Sequence, residues 1–293
     1  MLTLKSHASA AVLSGFCAVS AAQTPATNPM PDGSRDMYVG LGLQYAPNYE
    51  GGSGHRSWLK PALQIEWSNG MFIAGQSAGI HLSDRPGVEY GPLLTLHTGR
   101  GARGGPVLPT NLTGQPGDAV IVRPVEATSS SASAATGTAS YNNDLPRIRT
   151  RLEGGAFFNY YLMRELRLAQ SLSYGAGNEG RGLRWSVDLQ RMAFEIAPHH
   201  TLSVTAGMTL VNGSYNREFF GLTPRDTPLA PHYTPRGGLK DVHAHLRWTW
   251  TWSPSWMLTS VFSVQQLRGD ARASPIVTQT TGASVATALA YRF

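Results

Sequence analysis

The chain has 293 residues, of which 41% are hydrophobic and only 14% charged, with 32 glycines, 19 prolines, a single cysteine and a formal net charge of +6. So low a charge content departs from that of ordinary soluble domains. No uninterrupted apolar stretch approaches the ~18 residues a membrane helix needs, and no block of like charge is long enough to track a nucleic acid, so helical spans and nucleic-acid partners are excluded.

The opening residues read as a secretory leader: Lys5 gives a weak positive start, "ASAAVLSGFCAV" an apolar run, and "SAA" before Gln23 a small-residue cleavage site. The predicted leader is 1–22, cut after Ala22. Cys17, preceded by the bulky Phe16, belongs to the apolar run and is no lipid-attachment site. A mature chain without cysteine is held by burial or by hydrogen-bonded closure, with no disulfides. A short linker, 23–35, follows.

From residue 36 to 293 the dominant period is two, which predicts strands. In "MYVGLGLQY", Val39, Leu41, Leu43 and Tyr45 share one face, and Tyr38, Gly40, Gly42 and Gln44 the other. Further segments fall at 57–67, 71–82, 88–98, 148–162, 165–175, 182–196, in "HTLSVTAGMTL", in "KDVHAHLRWTWTW", and at 255–267 and 280–293. Short polar connections, "SNG", "MRE", "APHH" and "SPS", alternate with long ones at 99–147 and 212–239. Short turns at one end and long loops at the other mark an outer-membrane barrel. No helix of useful length is predicted.

The faces opposite the apolar ones carry Gly, Ala, Ser, Thr and Gln with scattered charges, which is poor for a soluble sandwich surface but suits the interior of a transmembrane barrel whose apolar face meets lipid. Trp67, Trp248, Trp250, Trp252 and Trp256 gather near tight turns, as a girdle at the membrane–water boundary does. The closing segment sets Val285, Thr287, Leu289, Tyr291 and Phe293 against Ser284, Ala286, Ala288, Ala290 and Arg292.

The alternating segments number eleven, whereas a single-chain bacterial barrel has an even number of strands. The expectation is an antiparallel transmembrane β-barrel of ten to twelve strands, with twelve favoured. Either "AVIVRPVEA" at 119–127 supplies the missing strand, or one long strand has been counted twice. The rest of 99–147, notably "ATSSSASAATGTAS", has little capacity to bury apolar surface. "NLT" at 111–113 matches a glycosylation pattern by coincidence.

Arg149, Arg151, Glu153, Glu165, Arg167, Arg184, Asp188, Asp241 and Arg247 fall on the polar faces with both signs interleaved. Mixed signs pair across strands and stiffen a narrow lumen, where a single sign would favour a selective pore. A largely filled lumen follows. In the loop "NGSYNREFFGLTPRDTPLAPHYTPRGG", the aromatics Tyr215, Phe219, Phe220 and Tyr233 need a partner, and "REFFGLTP" is expected to pack inward as a constriction.

Candidates for chemistry are "HLSD" (His81, Ser83, Asp84), His199 with His200, His232, and His243 with His245 beside Asp241. Nothing in the sequence gives the first a third partner, and two histidines fall short of the ligands a metal needs. No catalytic residue, cofactor or metal is assigned, and the chain is read as no enzyme.

"YVGLGLQYAPNYEGG", "NREFFGLTP", "GGLKDVHAHLRWTWTWSPSWMLT", "LRGDARASPIV" and the closing "YRF", in that order over nearly the whole mature chain, resemble the MipA/OmpV family of outer-membrane proteins. The 99–147 insertion is longer and less acidic than that pattern, and His243 and His245 stand where small or neutral residues are expected. The resemblance implies a cell outer-membrane barrel in contact with lipid and the barrel-assembly machinery, its last strand and the aromatics Tyr291 and Phe293 being read as an assembly signal. It also implies a scaffold that brings a murein-cleaving lytic transglycosylase together with a murein polymerase. No catalytic residues come with it. A small-solute channel and an outer-membrane lipid hydrolase are the alternatives.

Overall fold

Alternation of large apolar with small or polar residues places successive side chains on opposite faces of an extended chain, and the computed structural model closes these ribbons into a barrel. It describes residues 33–83, 87–100, 145–222 and 232–293. The expected leader, most of the linker, Asp84, "AVIVRPVEA", the "NLT" pattern and "ATSSSASAATGTAS" lie outside the described residues.

The strands are β1 (Arg35–Pro47), β2 (His55–Trp67), β3 (Met71–Ala74), β4 (Ser77–Ile80), β5 (Val88–His97), β6 (Arg151–Met163), β7 (Leu166–Ala176), β8 (Gly182–Ala197), β9 (His200–Val211), β10 (Gly238–Thr251), β11 (Trp256–Leu267) and β12 (Thr281–Arg292). Each pairs antiparallel with its sequence neighbours, and β12 pairs with β1 through a register running from Tyr38↔Arg292 to Tyr45↔Val285, so these twelve strands form a closed ring. Closure leaves no sheet edge at that seam.

The expected count of twelve holds, by a route the sequence did not reveal. Segment 71–82 is two strands. Ala74 pairs with Ser77 across a turn of Gly75 and Gln76, and Gly75 has φ 59°. A glycine with positive φ at the first of two turn residues is what a tight hairpin of this kind requires.

The tight connections, Ser68–Gly70, Arg164–Glu165, Pro198–His199 and Trp252–Ser255, share one end of the barrel with the start of β1 and the finish of β12. The connections after β1, β5, β7, β9 and β11 share the other. The outward faces are oily: Leu41, Leu43 and Leu289 are 52%, 56% and 40% exposed. Gln44, Glu153, Arg167, Asp188 and Asp241 are buried on the inner faces. This is the reverse of a water-soluble sandwich, in which the apolar faces are the buried ones.

The interior is not uniformly polar. Phe72, Ala74, Leu93 and Phe157 form one buried inner cluster, and Val261, Ala286 and Ala288 with Ala62 form another. Twelve strands lie between the ~8 whose interior side chains alone fill and the ~16–18 that leave an aqueous channel, and here these two clusters replace water with packing over part of the lumen.

Candidate functional site

The loop end is closed by a helix that the sequence did not announce. α1 (Gly213–Phe220) starts at Asn212, whose side-chain oxygen accepts the Tyr215 backbone N–H at 2.8 Å. That cap satisfies one of the donors a helix start leaves unpaired, and an asparagine before "GSYNREFF" was the signal in the sequence. Tyr215, Phe219 and Phe220 pack with Ile148, Ala176, Val211, Leu267 and Ala271, the last on the helical turn α2 (Gly269–Arg272). Tyr215 and Phe219 stack at 4.3 Å between ring centroids.

"REFF" thus folds into the barrel mouth as expected, while 223–231 lies outside the described residues. Arg100, beyond β5, donates from Nη1 to the Phe219 carbonyl at 2.7 Å and fastens the helix to the wall. Burial lowers the Arg100 pKa to about 10 and raises the Tyr215 phenol to about 12. Tyr233 donates to the Asp270 carbonyl at 2.7 Å, tying the returning loop to α2.

Below this plug, charged side chains bridge the inner wall. Lys240 donates to Glu50 Oε1 at 2.8 Å and lies 3.1 Å from Asp241 Oδ2. Asp241 Oδ1 and Asp188 Oδ1 each lie 2.7 Å from a ring nitrogen of His243. Asp188 is on β8 and His243 on β10, and the intervening β9 offers Gly207 at the shared register, where a Cβ would run into the Asp188 carboxylate. Glycine here serves close approach, with no demand on φ. Arg184 reaches Glu153 at 3.3 Å across β7, where Ser173 presents little bulk. Glu89 accepts from Asn159 (3.0 Å) and Tyr161 (2.8 Å), and Arg167 donates to Gln190 at 2.8 Å.

Of the charges the sequence reading aimed at the lumen, Glu153, Arg167, Arg184, Asp188 and Asp241 are buried within this network. Arg149 is a correction: it lies outside β6, is exposed, and its backbone N–H is taken by Asn178 at 2.9 Å. Arg151 extends from the first residue of β6 to the Asn178 carbonyl at 2.6 Å, at the rim. Glu165 pairs with Arg191 at 3.5 Å at the opposite end, with both side chains exposed. In each case the residue sits where the strand leaves the wall, which period-two counting does not detect.

Lys60, Lys240, Glu50 and Glu89 were missed. After Lys5 the sequence has only Lys60 and Lys240 as lysines, and both are buried, Lys60 bonded to Gln44. A lone lysine inside a strand pattern was the available signal.

At the tight-turn end the lumen widens into a vestibule of about 350 Å³ lined by Tyr38, Gln64, Glu66, Ser203, Arg247, Thr249 and Thr259 among others. Asp36 on its edge holds Arg292 with oxygens 2.8 and 3.1 Å from the guanidinium. On the outer surface of this end, Trp250, Trp252, Trp256, Tyr291 and Phe293 form a continuous series of ring contacts, with His200 stacked on Trp248 and Trp250. Trp67 ends β2 at the same end.

Among the described residues the catalytic candidates do not assemble. His81 contacts the rings of Phe72 and Phe157 at 5.0 and 5.2 Å, Asp84 lies outside the described residues, and His199 and His232 are far apart in the topology, on a tight turn and in the loop-end connection. His243 is held by two carboxylates, and His245 bonds Ser263 at 2.8 Å. Among the described residues no group of three or more His, Cys, Asp or Glu side chains is placed to hold a metal ion.

The sequence model of the family described as "MltA-interacting protein MipA" matches residues 39–293. The chain belongs to the MipA family. No curated protein matches the sequence. Among solved structures, an outer-membrane channel from Pseudomonas putida F1 has 6% identity and a TM-score of 0.42 over 92% of this chain and 99% of its own. The porin NanC has 8% identity and a TM-score of 0.38, covering 89% and 100%. The toluene transporter TbuX of Ralstonia pickettii has 12% identity and a TM-score of 0.37, covering 92% and 91%. Likenesses this distant say nothing about what this MipA-family barrel binds or passes.

Proposed function

We propose that this MipA-family barrel is a non-catalytic anchor of the outer membrane that presents its tight-turn end to murein enzymes on the periplasmic side, a lytic transglycosylase and a murein polymerase. The observation that carries the reading is the asymmetry of the lumen among the described residues: α1 and its aromatics close the loop end, bridging charges fill the middle beside a cavity of about 40 Å³ at Glu50, His243 and His245, and a vestibule of about 350 Å³ lies at the tight-turn end. A barrel built for free diffusion keeps a continuous aqueous path, and this one spends its inner faces on mutual pairing. The family description, with its interaction named for MltA, supports the partner class.

The test is retention of a lytic transglycosylase from the same cell envelope on the immobilised, detergent-folded barrel, followed by addition of the polymerase. Capture that survives α1 deletion but is lost when the 164–165 and 252–255 turns are exchanged for glycine-rich ones supports the anchor. Failure to capture either enzyme, together with step conductance in planar bilayers, supports the channel alternative. A hydrolase requires His81 and Ser83, so lipid-cleaving activity abolished by His81→Ala overturns the non-catalytic assignment.

A further inference from the structure

The walls of the tight-turn vestibule are shaped more than a plain ladder requires. β2 and β9 lie nearly opposite in the ring, and with their neighbours they enclose the cavity. On the β9 side, Arg191 pairs with Val204 and Phe194 with Leu202, so Met192 and Ala193 of β8 together oppose Ser203 alone, and both line the cavity. Two residues against one bend a strand and re-aim its side chains, a device that recurs beside functional sites. Across its other edge Ser203 pairs with Arg247 of β10, which lines the same cavity.

Ser203 is 7% exposed, and its hydroxyl, like that of Thr201 on the same face, makes no side-chain hydrogen bond among the described residues. A polar group that is mostly buried and faces a cavity is served by water or by a ligand. On the β2 side Glu66 accepts from Gln64 Nε2 at 2.8 Å, and among the described residues it makes no ion pair. Asp36 beside it is engaged by Arg292, so Glu66 is the carboxylate that faces the cavity without a cation of its own. Arg247 brings a guanidinium with five donors into the cavity from the other side.

The vestibule therefore presents two opposite charges on different walls, not joined to each other, with hydroxyls between them. Its volume of about 350 Å³ is in the range of small-molecule sites and holds about twelve waters at ~30 Å³ each. A neutral sugar strips water from both charges and returns none, and a simple cation or anion answers one and leaves the other. A zwitterion answers both, and hydroxyls beside it can serve amide groups between its ends.

We infer that the vestibule binds a short zwitterionic peptide, its ammonium on Glu66, its carboxylate on Arg247 and its amides on the Ser203 and Thr201 hydroxyls. The stem peptides of murein belong to this chemical class, so the inference deepens the proposed function and rests on its periplasmic placement of the tight-turn end.

The detergent-folded barrel is tested by equilibrium dialysis against trialanine, N-acetyl-trialanine, trialanine amide and N-acetylglucosamine. Trialanine is expected to bind at least about tenfold more tightly than either blocked peptide, since each has lost one charge-assisted contact. Glu66→Gln is expected to erase the preference over the acetylated peptide while keeping that over the amide, and Arg247→Gln the reverse, a crossed pattern that general loss of structure does not produce. The heat-modifiable compact form on gels controls for folding, and where Arg247→Gln loses it, the blocked peptides on the parent barrel decide the same point. Equal binding of the three peptides overturns the zwitterion, N-acetylglucosamine bound as tightly as trialanine overturns the peptide class, and retention of none of the four overturns the site. Trialanine bound by a barrel that captures neither murein enzyme removes the anchor and leaves the site, whereas capture without trialanine binding removes the site alone.

Discussion

His243 Nε2 lies 2.7 Å from Asp188 Oδ1, and this contact joins β10 to β8 over the bare backbone of Gly207 on β9. Three strands are locked by one side-chain pair because the middle one has no side chain at that position. Gly207→Ala puts a methyl against the carboxylate and pushes the pair apart, at a cost of about 1–3 kcal/mol from the disrupted buried hydrogen bond. A lower temperature for the loss of the compact, heat-modifiable form on gels is the expected result, and an unchanged temperature counts against the bridge.

Lys240 is 0% exposed and sits between Glu50 and Asp241. Lys240→Met leaves two carboxylates facing each other without their cation, and removing one partner of a buried pair costs about 3–5 kcal/mol. Urea unfolding in detergent is expected to move to lower midpoint, and Glu50→Gln in the same background is expected to recover part of the loss.

The plug is testable by opening it. Phe219→Ala with Phe220→Ala removes two rings from the cluster that holds α1 in the mouth, and large-to-small changes at such sites cost about 3–5 kcal/mol each. The double variant is expected to remain a folded barrel, since neither ring belongs to a strand, yet to admit ions that the parent does not in planar bilayers.

Trypsin provides a second view of the same segment. Arg217 is exposed, but it lies inside α1, and proteolysis needs locally opened chain. The parent is expected to resist cleavage after Arg217 on intact cells. Asn212→Ala weakens the helix start by about 1 kcal/mol and is expected to speed that cleavage severalfold.

Prolines at two paired positions test the hydrogen-bond parity of β1 and β2. Pro61→Ala adds an N–H on the side of β2 that meets no strand among the described residues and is expected to change stability by less than about 0.5 kcal/mol. Leu41→Pro, one strand away where β1 pairs with both β12 and β2, removes a ladder bond and is expected to cost about 3 kcal/mol. Comparable losses in the two variants are the outcome inconsistent with this geometry.

The sequence by itself determined the barrel. Strict alternation in "MYVGLGLQY" and "KDVHAHLRWTWTW" sorts oily from quiet side chains onto two faces, and turn chemistry at "SNG" and "SPS" marks where strands reverse; both are local properties of the chain. The split of 71–82 escaped notice because a glycine inside an alternating run is as compatible with one long strand as with a hairpin, and only the φ of Gly75 separates them. Arg149 and Glu153 look alike in the sequence, yet one is exposed and the other buried, since the point where a strand enters the wall depends on its neighbours' register. The meeting of Asp188 with His243 and of Lys240 with Glu50 190 positions away were decided only by the tertiary structure. Closing twelve strands into a ring brings distant positions to one level of one lumen, and no local pattern encodes which of them will face each other there.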